Sequence, residues 1–252
     1  MRSGKPAAAF AVLLVVSFAT MNAMPSDTLL AAMLQEAVLA LVALVAVRFA
    51  VPDALKRCTQ SVQQRNTVRF AGITLLLTGL VGGAITILTW YFANNGNGAG
   101  FVSAVLPSAV DLMENLLLLL GICLLTGLYE ESFMRVLGIE AFERALDTKR
   151  AILASAALFA LLHVGAPDVS AGQLVLLQTA LKFGQALLFG VILGALYVRT
   201  RRLWPCAFIH AGFDVLYLAP NVLLTGMMPE TYASGAVGDT VLLAVSVLML
   251  SG

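Results

Sequence analysis

Long apolar stretches, broken only at short polar joints, run through the whole chain. A membrane-spanning helix needs about 20 mostly apolar residues. That criterion predicts eight spans, at about 7–24, 29–51, 70–92, 113–139, 151–165, 174–198, 203–220 and 237–252. The joints carry residues that stop helices: Pro25-Ser26-Asp27, Asn94-Asn95-Gly96-Asn97-Gly98, Gly165-Ala166-Pro167-Asp168 and Met228-Pro229-Glu230. The predicted fold is all-α, a polytopic transmembrane helical bundle with no room for a soluble domain. The fifth, seventh and eighth spans are short, which leaves their ends open.

Composition agrees with this pattern. Of 252 residues, 60% are hydrophobic and 12% charged, and the mean hydropathy is +0.93, far from the composition of a soluble domain. A net charge of +1 argues against a nucleic-acid partner. The placement of charge says more than its sum, because Lys and Arg near helix ends collect on the cytoplasmic side. Arg2 and Lys5 precede the first span. Arg48, Lys56, Arg57, Arg65 and Arg69 lie between the second and third, Arg135, Arg144, Lys149 and Arg150 near the fourth-to-fifth joint, and Arg199, Arg201 and Arg202 between the sixth and seventh. Only Lys182 among the basic residues falls outside this set, inside a span, so both termini are expected in the cytoplasm.

The first span has a competing reading. A basic start, an apolar stretch and small residues near Ala23 also describe a secretory signal peptide over residues 1–24. The topology after Pro25 is the same either way. No Asn-x-Ser/Thr acceptor occurs, which favours a bacterial plasma membrane over a glycosylating compartment. Cys58, Cys123 and Cys206 are odd in number and lack metal-type spacing, so they read as packing residues and not as a disulfide framework.

Ionisable groups within spans are costly, and each is a functional candidate. They are Glu36, Glu130, Glu131, Arg135, His163, Lys182, His210 and Asp214, with Asp111 and Glu114 at the outer start of the fourth span. Three helical patterns stand out: Glu130-Glu131-x-x-x-Arg135, Phe159-x-x-x-His163 and His210-x-x-x-Asp214. Residues four apart share a helix face, so Glu131 can pair with Arg135 and His210 can reach Asp214. Glu130 points about 100° away from Glu131 and is free to face a cavity. At about 1.5 Å per residue, Glu130, His163, His210 and Asp214 lie roughly 14, 18, 10 and 16 Å below the cytoplasmic ends of their helices, within reach of one chamber. Lys182 shares a helical stripe with Gln178 and Gln185, and Glu36 adjoins Gln35; helix–helix hydrogen bonding is the default for both.

These three patterns, in this order, resemble the CAAX prenyl-protease and bacteriocin-processing family of intramembrane endopeptidases. The resemblance covers about residues 110–222. It divides the chain into N-terminal helices over 1–109, a catalytic core over 110–222 and a C-terminal helix over 223–252. It implies that Glu130 is the general base, that His163 orients the attacking water, and that His210 with Asp214 stabilises the transition state. Glu131, Arg135 and Phe159 have supporting roles, the first two as a buried ion pair and Phe159 as packing. The implied substrate is a peptide or protein tail, lipidated or not, and the implied reaction needs no cofactor. The chemistry is sound on general grounds, since a carboxylate can take the proton of an attacking water and a histidine donor can meet developing negative charge.

Three other readings remain open on the sequence. Glu130, His163 and His210 could supply the three protein ligands of a catalytic zinc, although the spacing lacks a helix-borne His-Glu-x-x-His. A transporter would use the same groups as relay or coupling sites, but transporters commonly show internal repeats, and none is evident here. A non-proteolytic scaffold, including a bacteriocin-immunity protein, is the third.

Overall fold

The computed structural model describes residues 4–24, 26–56, 62–95, 107–164, 172–229 and 233–252. These form helices α1 (Lys5–Ala23), α2 (Leu29–Ala50), a short 3-10 turn (Pro52–Leu55), α3 (Val62–Asn95) and α4 (Ala109–Glu130). A π-helical segment (Glu131–Ile139) follows, then α5 (Glu140–Phe142), α6 (Thr148–Val164), α7 (Gln173–Thr200), α8 (Leu203–Thr225) and α9 (Val237–Ser251). Among the described residues there is no strand, so the all-α expectation holds. Gly96, Asn97, Gly98, Pro25, Cys58, Arg2, Arg57, Glu230 and the Gly165–Asp168 joint lie outside the described residues.

Among the described residues, six helices are long and apolar enough to cross a membrane: Lys5–Ala23, Leu29–Ala50, Gln63–Phe92, Ala109–Phe142, Gln173–Thr200 and Leu203–Thr225. The fifth and eighth expected spans are shorter helices of 17 and 15 residues. The seventh runs on to Thr225 with Pro220 inside it. Large apolar side chains point outward along the bundle, among them Leu41, Phe49, Phe70, Val110 and Leu117. Polar ones, including Glu131, Arg135, Gln178 and His210, are buried. That is the inside-out distribution of a protein solvated by hydrocarbon, and the chain is an integral membrane protein.

Helix starts and joints are explained locally. Thr28 caps α2 by accepting from the Ala31 amide, and Ser108 and Asp111 form a capping box on α4, satisfying amides that have no partner within the helix. Asp111 is thereby a cap. Gln178 ties α7 to the start of α9 through the Ala236 carbonyl (2.7 Å), Thr240 Oγ1 (2.9 Å) and the Gly235 amide (2.8 Å). The basic joints meet at one end of the bundle. Arg202 donates to the Asp53 carbonyl (2.7 Å), Trp204 to Leu55 (2.9 Å) and Gln64 to Arg199 (3.0 Å). Arg201, in the left-handed region at φ 50, is fixed by Glu140 (2.7 Å) and by a two-pronged contact with Glu143 (2.9 Å). Single cysteines at positions 60, 147 and 201 are expected to label only from the cytoplasm, and those at 97, 168 and 230 only from outside. Of these positions 147 and 201 are among the described residues, and a reversed loop after residue 70 would contradict the topology.

Close backbone approach brings α4 onto α8. A Cβ on Gly127 would lie 2.6 Å from the Ala207 carbonyl oxygen, whereas one on Gly121 would meet only the flexible end of Met33. Small residues at helix crossings permit such contacts in membranes. Gly127→Ala is expected to cost about 1–3 kcal/mol by overpacking, read as a lower melting temperature, with Gly121→Ala nearer to wild type. Equal behaviour of the two variants would contradict this account of the α4–α8 contact.

Candidate active site

Gly127 stands one turn before Glu130, so its contact with α8 carries the Glu130 carboxylate towards His210. After Glu130 the helix widens, and all nine residues from Glu131 to Ile139 are buried. π-helical turns are uncommon and occur often at functional sites. Ser155 of α6 donates to the Met134 carbonyl (2.6 Å), which joins this widened segment to the helix bearing Phe159 and His163.

The four expected site residues meet. Glu130 Oε1 lies 3.9 Å from His163 Nε2, and Glu130 Oε2 lies 3.6 Å from His210 Nε2. Both gaps exceed a direct hydrogen bond, and one carboxylate faces both rings. His163 Nδ1 lies 2.8 Å from the Phe159 carbonyl. A carbonyl only accepts, so this contact assigns the proton to Nδ1 and turns the Nε2 lone pair towards Glu130. Asp214 Oδ2 is 3.3 Å from His210 Nε2. The side chain of Glu130 is 20% exposed and that of Glu131 is fully buried, as expected from their different directions on the helix.

Glu131 does more than its sequence spacing suggests. Its Oε2 pairs with Arg135 Nε at 3.1 Å, and its Oε1 meets His210 Nδ1 at 2.8 Å. Glu131 thus orients the His210 ring through Nδ1, while Asp214 approaches the opposite nitrogen. With carboxylate oxygens facing both ring nitrogens, His210 has the surroundings of a doubly protonated imidazolium. Arg135, counted both near the fourth-to-fifth joint and as the partner of Glu131 in a buried pair, is fully buried. Its guanidinium stacks 4.4 Å from the centre of the Phe159 ring, so Phe159 adds a cation–π contact to its packing role. Arg135 Nη1 and Nη2 have no hydrogen-bond partner among the described residues, which makes Glu131 and that ring its main support. Phe189 lies edge-on to His210 at 4.8 Å.

Among the described residues, clefts reach the site from two sides. Leu14, Phe18 and Met21 of α1 face Phe133, Leu162 and His163 across an apolar cleft of about 200 Å³ that ends at Glu130. On the other side of His163, Lys182, Gln185, His210 and Asp214 line a smaller one. The α1 side of the first cleft carries no polar motif and was not foreseen. Glu36 bonds to Thr126, a helix–helix contact as expected. Cys123 and Cys206 are buried free thiols, consistent with packing. Among the described residues no group of three or more His, Cys, Asp or Glu side chains is arranged to hold a metal ion, the set Glu130, His163 and His210 included.

Residues 112–216 match the family model for Type II CAAX prenyl endopeptidase Rce1-like. The match covers less than half of the chain and agrees with the resemblance read from the three motifs. The Rce1-like segment runs from α4 to α8 and includes every residue of the Glu130, His163 and His210 cluster. No curated protein matches the chain. The match supports an intramembrane endopeptidase acting on a peptide or protein, and it leaves α1, α2, α3 and α9 outside the matched segment.

Proposed function

We propose that the protein is an intramembrane endopeptidase that hydrolyses an amide bond with a water activated by Glu130, without a metal. The observation that carries this reading is the convergence of Glu130 with both histidines of the chain at 3.9 and 3.6 Å. A water bound between Glu130 and His163 donates one hydrogen to the carboxylate and the other to the His163 Nε2 lone pair. As its oxygen bonds to the substrate carbonyl carbon, Glu130 takes the proton. The carbonyl oxygen becomes an oxyanion facing His210 Nε2–H, whose ring is oriented by Glu131. Collapse breaks the C–N bond, and Glu130 returns the proton to the leaving nitrogen. The products are a new carboxylate and a new amine.

The substrate is a membrane-associated peptide or protein tail. The apolar cleft beside α1 suits a lipidated or hydrophobic segment, and a CAAX-type tail or a leader peptide has that chemistry. The charge pattern favours a site opening towards the cytoplasm, and the absence of an Asn-x-Ser/Thr acceptor favours a bacterial plasma membrane.

Incubation of the purified protein in nanodiscs with lipidated and unlipidated peptides, read by mass spectrometry, tests this function. Asp214→Asn is expected to retain substantial turnover and Asp214→Ala to lose much of it, because an amide keeps the hydrogen-bonding shape beside His210. Strong chelators are expected to leave both wild type and Asp214→Asn active. Activity abolished by chelation and restored by stoichiometric zinc would assign Glu130, His163 and His210 to a metal instead.

A further inference from the structure

Lys182 is a charged side chain of the chamber that none of the three motifs contains. It projects from α7 into the smaller cleft, where His163, His210 and Asp214 also lie. Its Nζ donates to Gln185 Oε1 (3.1 Å), and Gln185 Nε2 donates in turn to the Tyr217 hydroxyl on α8 (3.0 Å). The ammonium is therefore held in place by a two-link chain. Asp214 lines the same cleft, and Glu130 approaches the same His210 nitrogen as Asp214 does.

The charges of the chamber explain why a cation is needed there. Arg135 is engaged by Glu131, and His210 is shared by Glu131, Glu130 and Asp214. Asp214 therefore has no cation of its own on the Arg135 side. An ionised aspartate only accepts hydrogen bonds. Beside the carbonyl oxygen that gains negative charge, it opposes the reaction and competes for the Nε2 proton of His210. A buried charge without compensation is also costly within a membrane.

We infer that Lys182 is a positioning residue of the reaction: held by Gln185, its ammonium neutralises Asp214, so that His210 is left to meet the oxyanion. The pair Lys182–Asp214 then does together what a neutral hydrogen-bonding side chain at position 214 would do alone. This inference rests on the endopeptidase reading.

The test is a double-mutant cycle on nanodisc-embedded protein, with kcat and KM measured per folded molecule and melting temperature recorded separately. Lys182→Met is expected to lower kcat by about tenfold or more, with KM changed far less, since the defect lies in meeting transition-state charge. In the Asp214→Asn background the same substitution is expected to cost little, because no charge remains to be compensated. Lys182→Arg is expected to retain most of the turnover. If Lys182→Met does not fold, Gln185→Met, which releases the ammonium without removing it, is expected to show the same dependence on Asp214. Three outcomes would overturn the inference: wild-type kcat in Lys182→Met, an equal kcat cost in both backgrounds, or a rescue by Asp214→Asn confined to melting temperature. A purely structural ion pair would give the last of these. Wild-type cleavage that Glu130→Gln abolishes, alongside any of them, would sink the role of Lys182 alone. A wild type that cleaves no peptide would sink the endopeptidase reading, and this inference with it.

Discussion

Arg135→Ala is expected to lose about 3–5 kcal/mol of stability, the cost of leaving one member of a buried ion pair without its partner. Three contacts depend on that guanidinium. It pairs with Glu131 at 3.1 Å and covers the Phe159 ring at 4.4 Å. Through Glu131 it also supports the His210 ring, held at 2.8 Å. Removing it leaves the Glu131 carboxylate in a fully buried position with only His210 to face. The whole widened turn is enclosed by protein, so the charge has no route to water by which to relax. Glu131→Gln is expected to be milder in stability, since the amide keeps the shape, but its amide is a weaker acceptor for the His210 Nδ1 proton. Turnover should then fall even in folded protein. Thermal unfolding in detergent checks both variants. An Arg135→Ala protein with wild-type melting would show that the pair contributes little to holding the core together.

Glu130→Gln is expected to keep the fold and lose turnover by about 10²–10⁴-fold, the range general base catalysis contributes. The substitution is close to isosteric at a side chain that is partly exposed to the cavity and forms no tight ion pair. Its nearest histidine nitrogens are 3.6 and 3.9 Å away, outside direct hydrogen-bond length. Little stability therefore depends on the charge, whereas the reaction requires an oxygen that accepts a proton and then returns it. Melting within the error of wild type, together with lost cleavage, is the expected pair of results. A folded variant with full turnover would remove Glu130 from the mechanism.

The helices were legible because apolar length and breaker residues are local signals, and the i to i+4 pairs Glu131–Arg135 and His210–Asp214 were legible because helical geometry is local too. The ends of α6 and α9 were not, since hydropathy alone cannot tell a 17- or 15-residue helix from a complete span. The bond from Glu131 to His210 joins residues 79 apart in the chain, and no spacing encodes it. It depends on α4 packing against α8 at Gly127 and on a π-helical turn for which the sequence carries no marker. Arg135 was counted with the joint charges because it lies near the end of an apolar run. Its i to i+4 spacing from Glu131 offered the competing reading of a buried pair, and the enclosure of that turn decides between the two. Lys182 was grouped with Gln178 and Gln185 by its stripe on α7, yet the stripe divides: Gln178 binds the start of α9, and Lys182 enters the site with Gln185.

The most direct measurement is the mass of peptide products formed in ¹⁸O-labelled water by metal-stripped, nanodisc-embedded wild-type protein, beside Glu130→Gln at equal folded concentration. The account predicts that wild type releases two fragments, the new carboxylate carrying an oxygen from solvent, and that Glu130→Gln releases neither at a comparable rate. Equal cleavage by the two proteins, or cleavage by wild type only after zinc is restored, would contradict it.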